Sequence, residues 1–184
     1  MRIPIAIIAL AAMVSLTAAA DPGNPEESDQ CCHVALPSTL QERVFHDYPG
    51  FRLVLRRDLV PYHRELWDSG PGGCPGVARV DIDGDGRADY GINLMNDLDE
   101  PPSGVLIVAL ASDGGWRMLE LNRFGQSVPA VLWAQPDGNV EYRSFEGDSP
   151  VRFDAGALML VGYESWSRVF GFVNGDVASI QTSE

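Results

Sequence analysis

Four aspartates lie close together in residues 81–89, which read DIDGDGRAD. They occupy the first, third, fifth and ninth positions of that stretch, and glycines occupy the fourth and sixth. Carboxylates this close repel one another, and a bound cation removes the repulsion. Calcium takes about six to eight hard oxygen ligands in flexible geometry, and glycine permits the sharply curved backbone that wraps an ion. The sequence therefore predicts a calcium site with these ligands: Asp81, Asp83, Asp85, Asp89 and the backbone carbonyl of Arg87.

The stretch differs from an EF-hand at its twelfth position, where Ile92 replaces the bidentate Glu of that motif. Its flanks, residues 77–80 and 90–94, read VARV and YGINL, which favours strands over the two helices of an EF-hand. We therefore expect the ion at the end of a β-hairpin over residues 77–95. The alternative is an acidic turn that binds nothing, but ordinary turn chemistry does not explain aspartates and glycines at these offsets.

A second acidic stretch, residues 96–100, follows the predicted hairpin and reads NDLDE. It lacks the alternation of Asp and Gly found in residues 81–89, so the preferred interpretation is a solvated loop. The alternative is that Asp97, Asp99 or Glu100 adds a calcium ligand or forms a second weak site.

Residues 80–90, VDIDGDGRADY, resemble the calcium loop of FG-GAP and VCBS-type repeats, which occur in integrin-like propellers and in many secreted bacterial proteins. The surrounding layout, with CPGV at residues 74–77 and YESWSR at residues 163–168, is similar to small exported bacterial proteins that carry one such repeat and have no assigned activity. The resemblance implies the same five ligands, Ca²⁺ as the cofactor and no catalytic residue. Because the motif occurs once, we do not expect a full propeller, in which each blade needs its own strand set.

The N-terminus predicts export from the cytoplasm. Arg2 is followed by an apolar run over residues 3–16 and by three alanines at residues 18–20. The run is shorter than the roughly 20 residues that span a bilayer, which disfavours the alternative of a membrane anchor. We expect a signal peptide over residues 1–20, a flexible leader over residues 21–35, and a periplasmic or secreted mature chain that does not insert into a membrane.

The charge balance constrains the partners of the mature chain. All 13 basic residues are arginine, against 26 Asp and Glu. Removal of residues 1–20 takes away one arginine and no acid, so 12 arginines against 26 acids leave a net charge near −14. This charge repels nucleic acid and anionic membranes, and it favours a basic protein as the partner.

The chain has three cysteines, Cys31, Cys32 and Cys74, which leaves one thiol over in a compartment where disulfides persist. The preferred pairing joins Cys74 to either Cys31 or Cys32. A zinc site formed by the three cysteines and His33 is the alternative, but adjacent cysteines lack the usual C-x₂₋₄-C spacing.

The remaining pattern predicts a single α+β domain over residues 36–184, with one or two short N-terminal helices and then a mainly antiparallel multi-strand sheet. The first helix is expected near residues 39–47 with Ser38 as N-cap, and the second near residues 58–67 with Pro61 in its first turn. From residue 77 onward, short apolar or alternating runs separated by turn residues indicate strands. The predicted strands lie near residues 51–55, 77–81, 90–95, 104–110, 116–121, 128–134, 139–145, 157–163, 166–173 and 177–182.

Two classes of function are compatible with these features. The preferred one is an exported, non-catalytic, calcium-stabilised domain that binds a protein partner, for example as an inhibitor or immunity protein that blocks a basic cell-wall hydrolase or a toxin. The alternative is a calcium-dependent hydrolase of an extracellular or cell-wall polymer, with carboxylates in a cleft separate from the calcium ligands. The sequence contains no H-E-x-x-H, G-x-S-x-G or C-x-x-C motif, and we assign no catalytic residue. His33, His46 and His63 are interpreted as surface or packing residues.

Overall fold

The computed structural model describes residues 32, 35–70, 73–100, 102–124, 130–136, 141–144, 147, 150–162 and 166–183. The predicted signal peptide and almost all of the predicted leader lie outside these residues. The helical elements are α1 (Ser38–Asp47), a 3₁₀ turn (Arg56–Asp58) and α2 (Pro61–Asp68). The strands are β1 (Arg52–Leu53), β2 (Val77–Val80), β3 (Asp89–Asn96), β4 (Ser103–Ser112), β5 (Gly115–Phe124), β6 (Val131–Gln135), β7 (Glu141–Tyr142), β8 (Val151–Arg152), β9 (Ala157–Val161), β10 (Ser167–Val173) and β11 (Asp176–Ser183).

A proline lies at the start of each helix and restricts the backbone conformation there. Pro37, at φ −54° and ψ 140°, is the residue that precedes α1, so Ser38 is the first helical residue and not the predicted N-cap. Pro61 opens α2, and its ring disfavours helical backbone at Val60, which is extended. The second helix therefore begins three residues later than predicted, after the separate 3₁₀ turn. Among the described residues, no helix is long and apolar enough to cross a membrane.

Two antiparallel sheets contain most of the strands. The first has the order β1-β3-β4-β5, and β2 pairs with β3 along the edge that β1 also uses. The second has the order β11-β10-β9-β6, and β7 pairs with β8 in a separate two-stranded sheet. In the part of the chain that the structure describes, these strands close neither a barrel nor a propeller. The predicted α+β class, without a full propeller, is confirmed.

Strand β4 is buried on both faces and lies in the middle of three layers. Val105 and Ile107 pack in one core cluster with Leu40 of α1. Leu106 and Val108, which point to the opposite face of the sheet, pack in a second cluster with the strands β6, β9 and β10. Helix α1 therefore covers one face of the first sheet, and the second sheet covers the other.

The longest strands agree with the predicted positions, whereas the shortest do not. The structure describes residues 141–144 of the predicted strand at 139–145; of these, Glu141–Tyr142 form a strand, which pairs with Val151–Arg152, a strand that the sequence does not signal. The predicted strand at 51–55 is reduced to Arg52–Leu53. Pairs this short depend on their neighbours in the fold and not on intrinsic propensity, so no sequence pattern marks them.

The turn between β10 and β11 has the geometry that its sequence favours. Asn174 and Gly175 form a two-residue connection, because Val173 pairs directly with Asp176. Their φ angles are 53° and 80°, both in the left-handed region that a type I′ hairpin turn requires. This local signal predicts the hairpin correctly.

A disulfide joins Cys32 to Cys74, with 4.8 Å between the two Cα atoms. This is one of the two predicted pairings, and both residues are buried in the cluster shared by α1 and the first sheet. The bond therefore attaches the segment before α1 to the loop before β2. The alternative zinc site is wrong because both of these sulfurs are already bonded; Cys31 and His33 lie outside the described residues.

Substitution of Cys74 by alanine should lower the free energy of unfolding of the oxidised protein by about 4 kcal/mol, the loop-closure value for a cross-link of this span. The disulfide joins residues 42 positions apart, and this length sets the entropy that it removes from the unfolded chain. Urea unfolding measures the difference. The control is wild-type protein in excess dithiothreitol, which should match the Cys74→Ala variant; equal stabilities of the variant and the oxidised wild type would contradict the bond.

Candidate metal centre

Strands β2 and β3 form a hairpin that ends in residues 81–89, which we call the aspartate loop. The last cross-strand pair joins Val80 to Asp89, so the two ends of the loop are held side by side. Val80 and Ile82 are buried in the core between the two sheets, which fixes the start of the loop. The aspartates are thus presented at the end of a hairpin, as the flanking sequence predicts.

Three of the four predicted aspartate ligands converge. One carboxylate oxygen each from Asp81, Asp83 and Asp89 lies within 4.8 Å of the other two. Calcium–oxygen bonds of about 2.3–2.6 Å allow one ion to contact oxygens that are up to about 5 Å apart. The three oxygens therefore fit a single divalent cation by both chemistry and spacing. The structure does not identify which cation.

Backbone amides of the aspartate loop donate to two of these carboxylates. Gly84 N donates to Asp81 Oδ1 at 2.8 Å, Gly86 N donates to Oδ2 of the same residue at 3.0 Å, and Asp85 N donates to Asp83 Oδ1 at 3.2 Å. Gly84 and Gly86 have φ angles of 79° and 85°, which glycine adopts without strain. These bonds curve the chain around the carboxylates, and each oxygen keeps a second lone pair for a cation.

Asp89 is completely buried and attaches the aspartate loop to β4. Its Oδ2 accepts a hydrogen bond from Ile82 N at 3.0 Å, and its Oδ1 accepts one from Ala111 N at 2.8 Å. Burial raises the pKa of the Asp89 carboxyl, the two N–H donors lower it, and the charges of Asp83 and Asp85 raise it further. The raised pKa means that ionising Asp89 costs more in the folded protein than ionising an exposed carboxyl, and a cation beside it would offset that cost.

Asp85 is the predicted ligand that lies outside the converging group. Its Oδ1 accepts a hydrogen bond from Arg87 N at 2.8 Å, and its Oδ2 lies 3.7 Å from Arg87 Nε. The same guanidinium donates to Asp113 in the β4–β5 turn at 2.7 Å, and this bond is the main cause of the raised pKa of Arg87. Asp85 is thus paired with Arg87 in this conformation. The Arg87 carbonyl as a ligand stays a prediction.

Two backbone amides from distant parts of the chain donate hydrogen bonds to the aspartate loop, in addition to its Arg87–Asp113 contact. One is the bond from Ala111 to Asp89; the other comes from Gly156 N, which donates to the Asp81 carbonyl at 2.9 Å. A Cβ on Gly156 would lie 2.2 Å from Val80 Cγ2 and 2.7 Å from that carbonyl oxygen, so only glycine permits this approach. Sequence reasoning misses both contacts, because no spacing within residues 81–89 signals them.

The second acidic stretch lies at the opposite end of β3. This strand runs from Asp89 to Asn96, and eight extended residues span roughly 25 Å. Asp97 accepts a hydrogen bond from Arg52 Nε at 2.7 Å, and Asp99 accepts one from the Ser103 hydroxyl. These carboxylates are therefore too far from the aspartate loop to add a ligand to it.

The two described histidines are not part of the converging group. His46 is exposed, with Nδ1 at 2.9 Å from a carboxylate oxygen of Asp47. His63 on α2 is completely buried. His46 therefore occupies a surface position and His63 a packing position, as the sequence predicts.

Comparison with known proteins does not assign the chain to a family. No protein-family model, no curated protein and no solved structure matches it. The resemblance of residues 80–90 to FG-GAP and VCBS-type repeats therefore rests on the motif alone. Any functional conclusion must come from the geometry of the chain itself.

Substitution of Gly156 by alanine should lower the free energy of unfolding by about 1–3 kcal/mol, because the added Cβ overlaps Val80 and the Asp81 carbonyl. Urea unfolding of the variant and the wild type measures the loss. Gly114→Ala is the matched control, since a Cβ there meets nothing within 4 Å, and it should leave stability nearly unchanged. Equal effects of the two substitutions would show that close approach at Gly156 does not hold the loop.

Proposed function

We propose that this chain is an exported, non-catalytic domain whose aspartate loop binds one calcium ion, and that the ion stabilises the fold. The observation that carries this proposal is the convergence of carboxylate oxygens from Asp81, Asp83 and Asp89 within 4.8 Å. Asp85 and the Arg87 carbonyl are the further ligands that the motif implies. Three anionic oxygens in one place are favourable only when a positive charge compensates them.

Calcium is the ion that this kind of loop suits best. Calcium accepts a variable number of oxygens in flexible geometry, whereas magnesium needs near-ideal octahedral geometry and retains several waters. The aspartate loop offers a backbone that curves at Gly84 and Gly86, where φ is positive, and carboxylates that come from both of its ends. Extracellular calcium modules bind at roughly 10⁻⁴–10⁻³ M, which suits a compartment where calcium is abundant.

A stabilising role follows from what the ligands already contact. Asp89 is hydrogen-bonded to β4 through Ala111, and Asp81 is hydrogen-bonded to the β8–β9 loop through Gly156. An ion shared by Asp81 and Asp89 would tighten the hairpin against both. Binding to the folded state alone adds about 1.4 kcal/mol of stability at a free calcium concentration ten times the dissociation constant.

The disulfide supports the proposed location outside the cytoplasm. Bonds of this kind persist in the periplasm and in secreted proteins and are rare in the reducing cytosol. The Cys32–Cys74 bond lies in the core cluster shared by α1 and the first sheet and therefore belongs to the folded domain. Together with the signal-like N-terminus, it favours a periplasmic or secreted protein.

The partner that we propose is a basic protein, such as a cell-wall hydrolase or a toxin, which this domain would bind and block. The proposal rests on the charge of the mature chain, near −14, and on the compartment. We expect the mature protein, immobilised with calcium, to recover a basic protein at low salt and to release it as salt increases. Recovery of no basic protein, or of a set of proteins that salt does not affect, would contradict this part of the proposal.

The alternative function, a calcium-dependent hydrolase, gains no support from two cavities lined by described residues. One of them adjoins the aspartate loop itself, and Asp81 is the only carboxylate among the described residues that line it. The other has no carboxylate among the described residues that line it. A hydrolase of the predicted kind needs catalytic carboxylates in a cleft separate from the calcium ligands. Neither cavity supplies such a pair.

Millimolar calcium should raise the melting temperature of the mature, oxidised protein by about 3–6 °C, and chelator should reverse the rise. The Asp83→Ala variant removes one converging oxygen and should lose the calcium-dependent part of the melting temperature. Differential scanning calorimetry measures both. Asp97→Ala, at the other end of β3, is the control and should keep the full response. No response in the wild type, or equal responses in wild type and Asp83→Ala, would reduce the loop to an acidic turn.

A further inference from the structure

Leu98 is the most exposed large apolar side chain among the described residues, with 84% of its surface accessible. It lies in the connection that follows β3, between Asn96 and Ser103. It belongs to none of the core clusters formed by the described residues, so the fold gains no burial from it. Burial of this side chain in another molecule would remove apolar surface from water, which is favourable.

Hydrogen bonds hold the turn that carries Leu98. The Asn96 side-chain oxygen accepts a bond from Leu98 N at 3.0 Å, and Asp97 accepts one from Arg52 Nε at 2.7 Å. The same guanidinium donates two bonds to Asp58 in the 3₁₀ turn, at 2.6 and 2.9 Å. The turn is thus attached to a second part of the chain. A surface that is held before binding loses little conformational freedom when a partner contacts it, which favours affinity.

The turn is negatively charged. Residues 97–100, which we call the acidic turn, read DLDE. Glu100 is exposed, and the Asp97 side chain keeps 49% of its surface accessible although it is paired with Arg52. Because Arg52 also pairs with Asp58, one guanidinium faces several carboxylates and cannot neutralise them all. A partner surface with basic residues around an apolar pocket complements this arrangement.

The acidic turn and the aspartate loop lie at opposite ends of β3. In the proposed function, calcium offsets the charge of the aspartate loop. Among the described residues, the carboxylates of the acidic turn form no converging group that could hold an ion in the same way. The acidic turn would therefore keep its charge when calcium is bound, and it would stay available to a basic partner.

We propose that the acidic turn is the surface through which this domain binds the basic protein of its proposed function. Leu98 enters an apolar pocket of that protein, and Asp97 and Glu100 pair with basic residues around the pocket. An apolar centre with a polar rim is the usual anatomy of a protein interface, and the rim charges speed association and fix orientation. The inference rests on the proposed basic partner and not on calcium binding.

The test uses egg-white lysozyme as the probe, because it is a basic cell-wall hydrolase of the proposed class. Calorimetric titration with the mature, oxidised protein at about 0.15 M salt should give saturable binding. Leu98→Ser should weaken this binding about tenfold or more, since the buried apolar surface is lost. Val177→Ser, which truncates another exposed apolar side chain, on β11, is the matched control and should bind as the wild type does.

A second pair of variants tests the rim charges. Glu100→Gln should weaken binding at low salt and reduce its dependence on salt, whereas Glu65→Gln, at an exposed acid on α2, should change neither. Equal lysozyme binding by the wild type and Leu98→Ser would overturn the acidic turn as the interface and leave the proposed basic partner in place. Absence of lysozyme binding by the wild type would contradict a cell-wall hydrolase as the partner, and this inference would be wrong with it.

Discussion

The buried carboxylate of Asp89 is the interaction on which the aspartate loop depends. It accepts one hydrogen bond from within the loop, at Ile82, and one from the end of β4, at Ala111. Strand β4 is buried on both faces and lies between α1 and the second sheet. The aspartate loop is therefore attached to a strand that is buried on both faces. Asp89 thus links the conformation of the loop to the packing of the core. Loss of either N–H donor would leave its buried charge with one hydrogen bond fewer, which is unfavourable.

Backbone amides of the aspartate loop allow its carboxylates to lie close to one another. Amide donors from Gly84 and Gly86 serve Asp81, and the amide of Asp85 serves Asp83. These N–H groups supply only partial positive charge, and the pKa of Asp89 is still raised by burial and by the neighbouring aspartates. The loop is thus shaped by its amides but not neutralised by them. A divalent cation bound by these carboxylates would supply the missing charge, which favours the proposed binding site over a simple acidic turn.

Sequence reasoning succeeds here wherever the cause is local. The Asn174–Gly175 turn and the long strands β3 and β4 follow from residue type and periodicity, and three of the four aspartates converge as their spacing predicts. It fails where the cause lies elsewhere in the chain. The choice of Cys32 over Cys31, the pairing of Asp85 with Arg87, and the approach of Gly156 to the loop all depend on tertiary contacts. No window of residues contains that information, because the partners are brought together only by the fold.

Strand β2 connects the aspartate loop to both sheets. It pairs with β3 in the first sheet, and Leu132 N of β6 donates to the Pro75 carbonyl just before β2 at 3.1 Å. One end of β2 thus contacts β6 of the second sheet, and its other end leads into the aspartate loop. An ion that fixes the loop would therefore restrain this short strand between the two sheets, which is the physical basis of the proposed stabilising role.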